Sequence, residues 1–368
     1  EVNTMKKIKH LLVPVIFSLI IGVLTLSLFI LPDKDISEWE RRKLQQMPDI
    51  SVSSLSSGRF MRDFETYLTD QFPLRDTFRT LKAKFHFDFL RQKDNNDIYV
   101  ITGSAGKLDK KISKRSVENF QKVINNINAT YLKGTDCKVY FSLIPDKNFF
   151  LTEGTIYPHY EYSELYTLTK AGLEGLEHID ISSLLSADSF YTTDSHWKQQ
   201  KIVPVANLIR KELGLSPVSD LEKKDVSEFY GVYYGQSALP LEADKLVYLT
   251  NEEIEGATVK NIEKEGETKV YDLSKLDAPD RYDIFLSGAV SILEITNPQG
   301  EKGKELILFR DSFGSSLAPL LLPGYSKVTL VDTRYIPTDM VGDFVEFTNQ
   351  DVLFIYGTGI VNNSASLR

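Results

Sequence analysis

The first long pattern in the chain is a gap in polarity: from Leu11 to Leu31 no residue is charged. That run is long enough to cross a hydrocarbon core as one helix. Lys6, Lys7, Lys9 and His10 precede it, and Met5 has the look of a start, which leaves 1–4 upstream. A cleaved signal peptide shares the basic beginning, but the run is long for one and no small-x-small site closes it. The expectation is an uncleaved single-pass anchor over 11–31, with a cytoplasmic tail over 1–10 and the large domain outside the cell. Lys34, Arg41, Arg42 and Lys43 follow so closely that charge does not set the orientation. A short tail is simply easier to leave behind than a large domain.

Residues 32–93 read as a juxtamembrane spacer with two helices. Phe60, Met61, Phe64, Tyr67 and Leu68 have helical spacing, Asp70–Arg75 breaks it, and Thr77–Leu90 resumes it with Phe78, Leu81, Phe85 and Phe89 on one face. From 94 onward the pattern alternates between apolar strands and amphipathic helices. Strands are expected at 97–101, 139–144 and 178–181, and helices over Val117–Leu132 and Leu165–Leu176. A further helix is expected from about Trp197 to Leu213, ended by Gly214. The continuous apolar run at 139–144 suits a central parallel strand. Residues 218–300 change character, rich in charge, Tyr and Gly, and read as a β-rich insertion or as one edge of the domain. Alternation returns with strand 305–309, helix 315–322 and strands 327–331 and 352–356. The fold class is α/β, a mostly parallel sheet flanked by helices.

Composition narrows the function. Over 368 residues the net charge is −8, so no basic surplus exists to neutralise phosphates and a nucleic-acid partner is not expected. Cys137 is the one cysteine, which rules out an intrachain disulfide and a cysteine-based zinc cage.

Two stretches carry chemistry. Thr193-Asp194-Ser195-His196-Trp197 offers a carboxylate and an imidazole two residues apart. Leu308-Phe309-Arg310-Asp311-Ser312-Phe313-Gly314 puts a serine where an apolar strand breaks into a turn before an apolar helix. A serine hydroxyl at neutral pH needs a base, and the base needs a carboxylate to fix its tautomer. Asp194, His196 and Ser312 have those parts. Each alone has a plainer use: Asp194 and Ser312 as helix caps, His196 as an ordinary structural histidine. Ser195 is discounted, because adjacent side chains do not easily point into one site. A metal site on Asp194 and His196 needs a third ligand, for which His159 or His178 is available; no metal is expected.

The Asp-x-His-Trp stretch, followed from afar by Asp-Ser-Phe after an apolar strand, resembles the alginate O-acetyltransferase (AlgJ/AlgX-like) and DHHW families. The resemblance also takes in the N-terminal apolar run, Glu40-Arg41-Arg42-Lys43-Leu44, Ser57-Gly58, Asp70-Gln71-Phe72-Pro73-Leu74-Arg75, Pro145-Asp146-Lys147 and Asp332-Thr333-Arg334-Tyr335, and is weakest in 218–300. It implies an SGNH-hydrolase-like domain over 94–368 and a catalytic triad of Asp194, His196 and Ser312. It further implies acetylation of hydroxyls on an exported polysaccharide through an acetyl-serine. It implies no bound cofactor, the acetyl group being delivered by a membrane-bound O-acyltransferase partner. An acetylesterase with the same triad and a non-catalytic assembly component are the alternatives. Arg310 stands where the families usually have Gly, which puts the turn or oxyanion hole in question. Arg310, Arg334 and Tyr356 are candidates for contacting substrate or oxyanion; a salt bridge and a core tyrosine are the plain readings of the last two.

Overall fold

The computed structural model describes residues 2–109, 111–152 and 154–368, with side chains from residue 12 onward. The basic cluster Lys6, Lys7, Lys9 and His10 therefore lies outside the described side chains. The chain divides into two compact units, residues 1–95 with 235–240, and residues 96–234 with 241–368.

The first unit begins with helix α1, Val2–Ile30. Its stretch Leu12–Ile30 has a mean hydropathy of 2.6, enough by length and composition to cross a membrane. Helices α2, Arg59–Asp70, and α3, Arg75–Lys84, follow, and a π-helical turn, Phe85–Phe89, continues α3. A knot of charge joins them. Asp70 accepts from both terminal nitrogens of Arg42, at 2.8 and 2.6 Å. Glu40 lies 2.6 Å from Arg75 and 3.3 Å from Arg79. Glu40, Arg42, Asp70 and Arg75 come from the stretches singled out along 40–75, and the break between the helices sets Asp70 and Arg75 side by side; Arg79 joins them from the next turn of α3. Arg79 also donates to the Gly235 carbonyl at 2.7 Å, which ties the 235–240 segment into this unit.

The second unit is built on an eight-stranded sheet. In chain order its strands are β1 Lys138–Ile144, β2 Glu177–His178, β3 Thr258–Asn261, β4 Glu267–Thr268, β5 Ile292–Thr296, β6 Glu301–Arg310, β7 Tyr325–Val331 and β8 Asp351–Gly357. Their order across the sheet is β4-β3-β5-β7-β6-β8-β1-β2. Strands β7, β6, β8, β1 and β2 are parallel; β5, β3 and β4 continue the sheet antiparallel.

The central strands are apolar at successive positions because both of their faces are covered. Leu306, Leu308, Leu353 and Ile355 face one core, with α6, Val203–Glu212, and α7, Phe313–Leu321. Ile307, Phe309, Val352 and Phe354 face the other, with α4, Lys114–Ile127, and α5, Tyr162–Ala171. The result is three layers, helix, sheet and helix.

One expectation changes, and one is resolved. The helix placed at Trp197 starts only at Val203, with Pro204 in its first turn, where a missing N–H costs nothing. Residues 190–201 instead form a loop with a single bridge between Phe190 and Trp197 and a short 3₁₀ turn at Gln199–Lys201. The 218–300 stretch, left open between an insertion and an edge, supplies the antiparallel sheet edge, and Glu222–Phe229 pairs with Asp244–Thr250 as a two-stranded ribbon.

Candidate active site

Parallel strands of an open sheet deliver their C-terminal ends to one edge, where ligands bind. Three such ends matter here: β1 running into Pro145-Asp146-Lys147, β6 into Asp311-Ser312, and β8 ending at Gly357. The Asp311 carboxylate fastens two of them. It accepts from the Phe313 N–H at 2.9 Å and from the Gly357 N–H at 2.7 Å. Burial pushes this carboxyl above its ordinary pKa. Ser312 occupies the N-cap position of α7 but makes no capping bond with its side chain. Its Oγ lies 2.8 Å from Nε2 of His196.

The loop that carries His196 is held by two buried charges. Asp244 accepts from the Thr192 N–H at 2.7 Å, the Thr193 N–H at 2.8 Å and the Thr193 hydroxyl at 2.7 Å. Lys147 donates to the carbonyls of Ala105 at 2.5 Å, Tyr191 at 2.6 Å, Thr192 at 2.9 Å and Asp194 at 3.3 Å. Burial pulls the Lys147 ammonium down to about 7, against the pull of Asp244 and Asp194. Asp194, fully buried, is held by donors on both oxygens. Its Oδ1 accepts from the His196 N–H at 3.0 Å and lies 2.6 Å from Nδ1; its Oδ2 accepts from the Val232 N–H at 2.8 Å. A carboxylate can only accept, so Nδ1 carries the ring proton and Nε2 is left to accept from Ser312. Room for this contact depends on Gly231: a Cβ there would fall 2.2 Å from that of Asp194.

Burial lowers the His196 pKa, but the charge of Asp194 and its hydrogen bond outweigh it, and the net shift is upward. Aromatic walls fix the ring. Tyr282 stacks on it at 4.0 Å between centroids and 12° between planes, and Phe313 meets it edge-on at 5.3 Å. Ser316 holds these walls, taking hydrogen bonds from the Trp197 indole at 2.9 Å and the Tyr282 hydroxyl at 2.8 Å.

Ser312 opens into a cavity of about 490 Å³, also lined by Asn148, Lys147, Tyr233, Asp109, Asp146, Tyr160 and Asn362. Two of its acids, Asp109 and Asp146, share a donor. Tyr162 donates to Asp146 at 2.5 Å and to Asp109 at 3.2 Å. Burial, then repulsion from Asp146, lifts the Asp109 carboxyl to about 7.

The other candidates lie elsewhere. Arg334, Tyr356 and Arg310 are absent from the cavity wall. Arg334 is committed to Asp332 through two bonds of 2.8 and 2.6 Å. Tyr356 is a core residue, edge-on to Phe120 at 5.4 Å with its hydroxyl 3.4 Å from that of Thr333. Arg310 is buried behind the turn, 3.5 Å from Asp332, and its side-chain stem occupies the space beside Gly314, where a Cβ would come within 2.6 Å. Both plain readings, the ion pair and the core tyrosine, describe what these side chains do. Ser195 lines the cavity, with its hydroxyl 3.5 Å from Asp194. Among the described residues no three metal-ligating side chains converge. Tyr282, Val232 and Asp244 were not singled out from the sequence, since no local pattern links them to positions 194–196.

An Asp-x-His-Trp loop bonded to a serine at the end of a parallel strand is a specific arrangement. Residues 180–331 match the DHHW protein family. That match spans the loop, the ribbon, the antiparallel edge and the Ser312 turn. No curated protein matches the chain. Among solved structures, a DHHW family protein from Eubacterium siraeum is similar in fold, with 17% identity, a TM-score of 0.60, and coverage of 74% of this chain and 95% of that one. Bacillus cereus PatB1, solved with a sulfonyl adduct, follows at 16% identity and a TM-score of 0.59, covering 72% and 95%. The O-acetyltransferase domain of Pseudomonas putida AlgJ is more distant, at 10% identity and a TM-score of 0.41 over 68% and 83%, a likeness too loose to bear on the site. The DHHW match and the two nearer folds agree with the α/β architecture seen here.

Proposed function

We propose that this chain is a serine-dependent O-acetyltransferase acting on hydroxyls of an exported polysaccharide, held at the cell surface by α1. One observation carries the reading: His196 bridges Asp194 and Ser312 at 2.6 and 2.8 Å, and Ser312 stands in the wall of a cavity large enough for a sugar unit. In the first half-reaction Ser312 Oγ attacks the acetyl carbonyl while Nε2 takes its proton. The imidazolium is held by the Asp194 charge and returns the proton to the leaving group. In the second, an acceptor hydroxyl gives its proton to Nε2 and attacks the acetyl-serine carbon, which leaves the acetyl ester on the sugar and the proton on Ser312. The two walls of aromatic ring and the buried Asp194 keep the relay in a low-dielectric setting, where its charges act strongly.

The resemblance supports acetyl as the group and polysaccharide as the acceptor. It also supports delivery of the acetyl group by a membrane-bound O-acyltransferase, because acetyl-coenzyme A is confined to the cytoplasm. The polar wall of Asn148, Tyr160, Asn362 and Asn363 suits a hydroxylated acceptor. PatB1 has been captured with a sulfonyl adduct, and the same reagent class probes this site: a sulfonyl fluoride is expected to add to Ser312 with loss of fluoride. Mass spectrometry of the peptide containing Ser312 reads the adduct, and its absence from a reagent-treated, folded protein sinks the proposal. Incubation with an acetyl ester, with and without an oligosaccharide, separates transfer from hydrolysis. Equal loss of acetyl in both favours the esterase reading.

A further inference from the structure

One helix of the first unit wears its polarity the wrong way round. Along α3 and the π-helical turn after it, Phe78, Leu81, Phe85 and Phe89 recur every three or four residues and so share a face, with Leu74 at the N-cap before them. All five are exposed, from 43% at Phe78 to 73% at Phe89. The other face carries Arg75, Arg79 and Ala83. The two arginines are spent on Glu40, Asp70 and Asp76, and Ala83 has no exposed surface. An amphipathic helix on a soluble protein buries its apolar stripe and shows its charges to water. Here the two arginines are paired with acids on the inner side, and among the described residues nothing covers a stripe of three phenylalanines and two leucines.

Three features say what covers it. The same unit contains α1, whose Leu12–Ile30 stretch is long and apolar enough to span a bilayer. Lys82, Lys84, Arg91 and Lys93 are exposed along the stripe and just beyond it, with Asp88 the single exposed acid in residues 74–93. Residues 1–95 hold fifteen Lys and Arg against twelve Asp and Glu, whereas residues 96–368 hold 28 against 39. Rings on one side and cations at the margin are the composition of a helix lying in a membrane interface, where an anionic surface attracts the cations and the rings sink to the headgroup boundary.

We propose that the Leu74–Phe89 face lies on the bilayer, making the first unit a two-point membrane attachment: one helix through the lipid, one along it. The proposal rests on α1 as an anchor. The test uses the full chain with Cys137→Ser, reconstituted alone and dilute in vesicles of phosphatidylcholine and phosphatidylglycerol. A nitroxide is attached to Phe85→Cys or, separately, to Leu19→Cys, and its collisions with oxygen and with a water-soluble nickel chelate are measured. Both labels are expected to favour oxygen, Leu19 more strongly, and the Phe85 preference to weaken when phosphatidylglycerol is left out. A Phe85 label open to nickel while Leu19 favours oxygen overturns the proposal and leaves the anchor standing. A Phe85 label shielded from both reagents means that protein covers the face, whether a second copy or the other unit, and also overturns it. A Leu19 label open to nickel overturns the anchor, and the proposal with it.

Discussion

Asp194→Asn changes one acceptor into a donor in a place where every neighbour donates. Oδ1 meets the His196 N–H and Nδ1, and Oδ2 meets the Val232 N–H. If the new amide turns its nitrogen toward Val232, two donors face each other, at a cost of about 1–3 kcal/mol for the buried group left unpaired. If it turns the nitrogen toward His196, it donates to Nδ1 and moves the ring proton to Nε2, which can no longer accept from Ser312. In the serine-protease triad that wrong tautomer lowers kcat roughly 10⁴-fold, equivalent to about 5.5 kcal/mol. The expected result is a loss of that order in activity with only a small loss of stability. The assay is the burst of nitrophenolate from 4-nitrophenyl acetate, followed from pH 5 to 9. In the parent the rate should rise with pH through an imidazole pKa above the ordinary value, because the neutral ring is the base and Asp194 holds the proton on. In the variant the remaining activity should rise at lower pH, since burial acts on the ring without that opposing charge. A variant that keeps more than about a tenth of the parental burst rate refutes the orienting role of Asp194.

Ser312→Ala should abolish acetylation of the protein and of any acceptor while costing about 1 kcal/mol of stability, the worth of one hydrogen bond; mass spectrometry and thermal unfolding read the two. Lys147→Met removes the cation that joins the Ala105, Tyr191 and Asp194 carbonyls and should lower kcat through a displaced His196 loop with little change in KM for the acetyl donor; an unchanged kcat would show that the loop holds its shape without the cation. Asp109 keeps its proton to about pH 7 when folded, whereas an unfolded carboxyl loses it near about 3.9. Between those values the folded protein binds the extra proton and stability falls as pH rises. Asp109→Asn should therefore raise Tm relative to the parent more at pH 8 than at pH 5.

The central sheet was readable because its strands are buried on both faces, so that Val139–Ile144 and Leu306–Phe309 stand out as unbroken apolar runs. Asp194 and His196 were readable because one loop carries both, and Ser312 because strand, turn and helix follow directly in sequence. The antiparallel edge was legible only as one of two readings of 218–300, since short strands such as Thr258–Asn261 bury one face and carry Lys260 on the other, a pattern shared with loops. Nor was the frame around His196. Tyr282, Val232 and Asp244 arrive from 36 to 86 residues away in sequence, and only the pairing of the 222–229 and 244–250 strands and the sheet edge brings them in. The Trp197 helix failed on a local fact, Pro204, which sets the start of α6 at Val203, six residues late.

The fit of Arg310 against Gly314 makes the two positions one unit of change. With glycine at 314, the space beside the nucleophile turn is filled by the arginine stem, and an added methyl would collide with it at 2.6 Å. The nearest contact is the Cβ of residue 310 itself, so a side chain of any size at 310 calls for glycine at 314. Once one is seated the step is a ratchet: 314 regains a side chain only where 310 has first returned to glycine. A substitution scan of 314 done in the Arg310→Gly background should therefore recover residues that the parent, and an Arg310→Ala variant, reject.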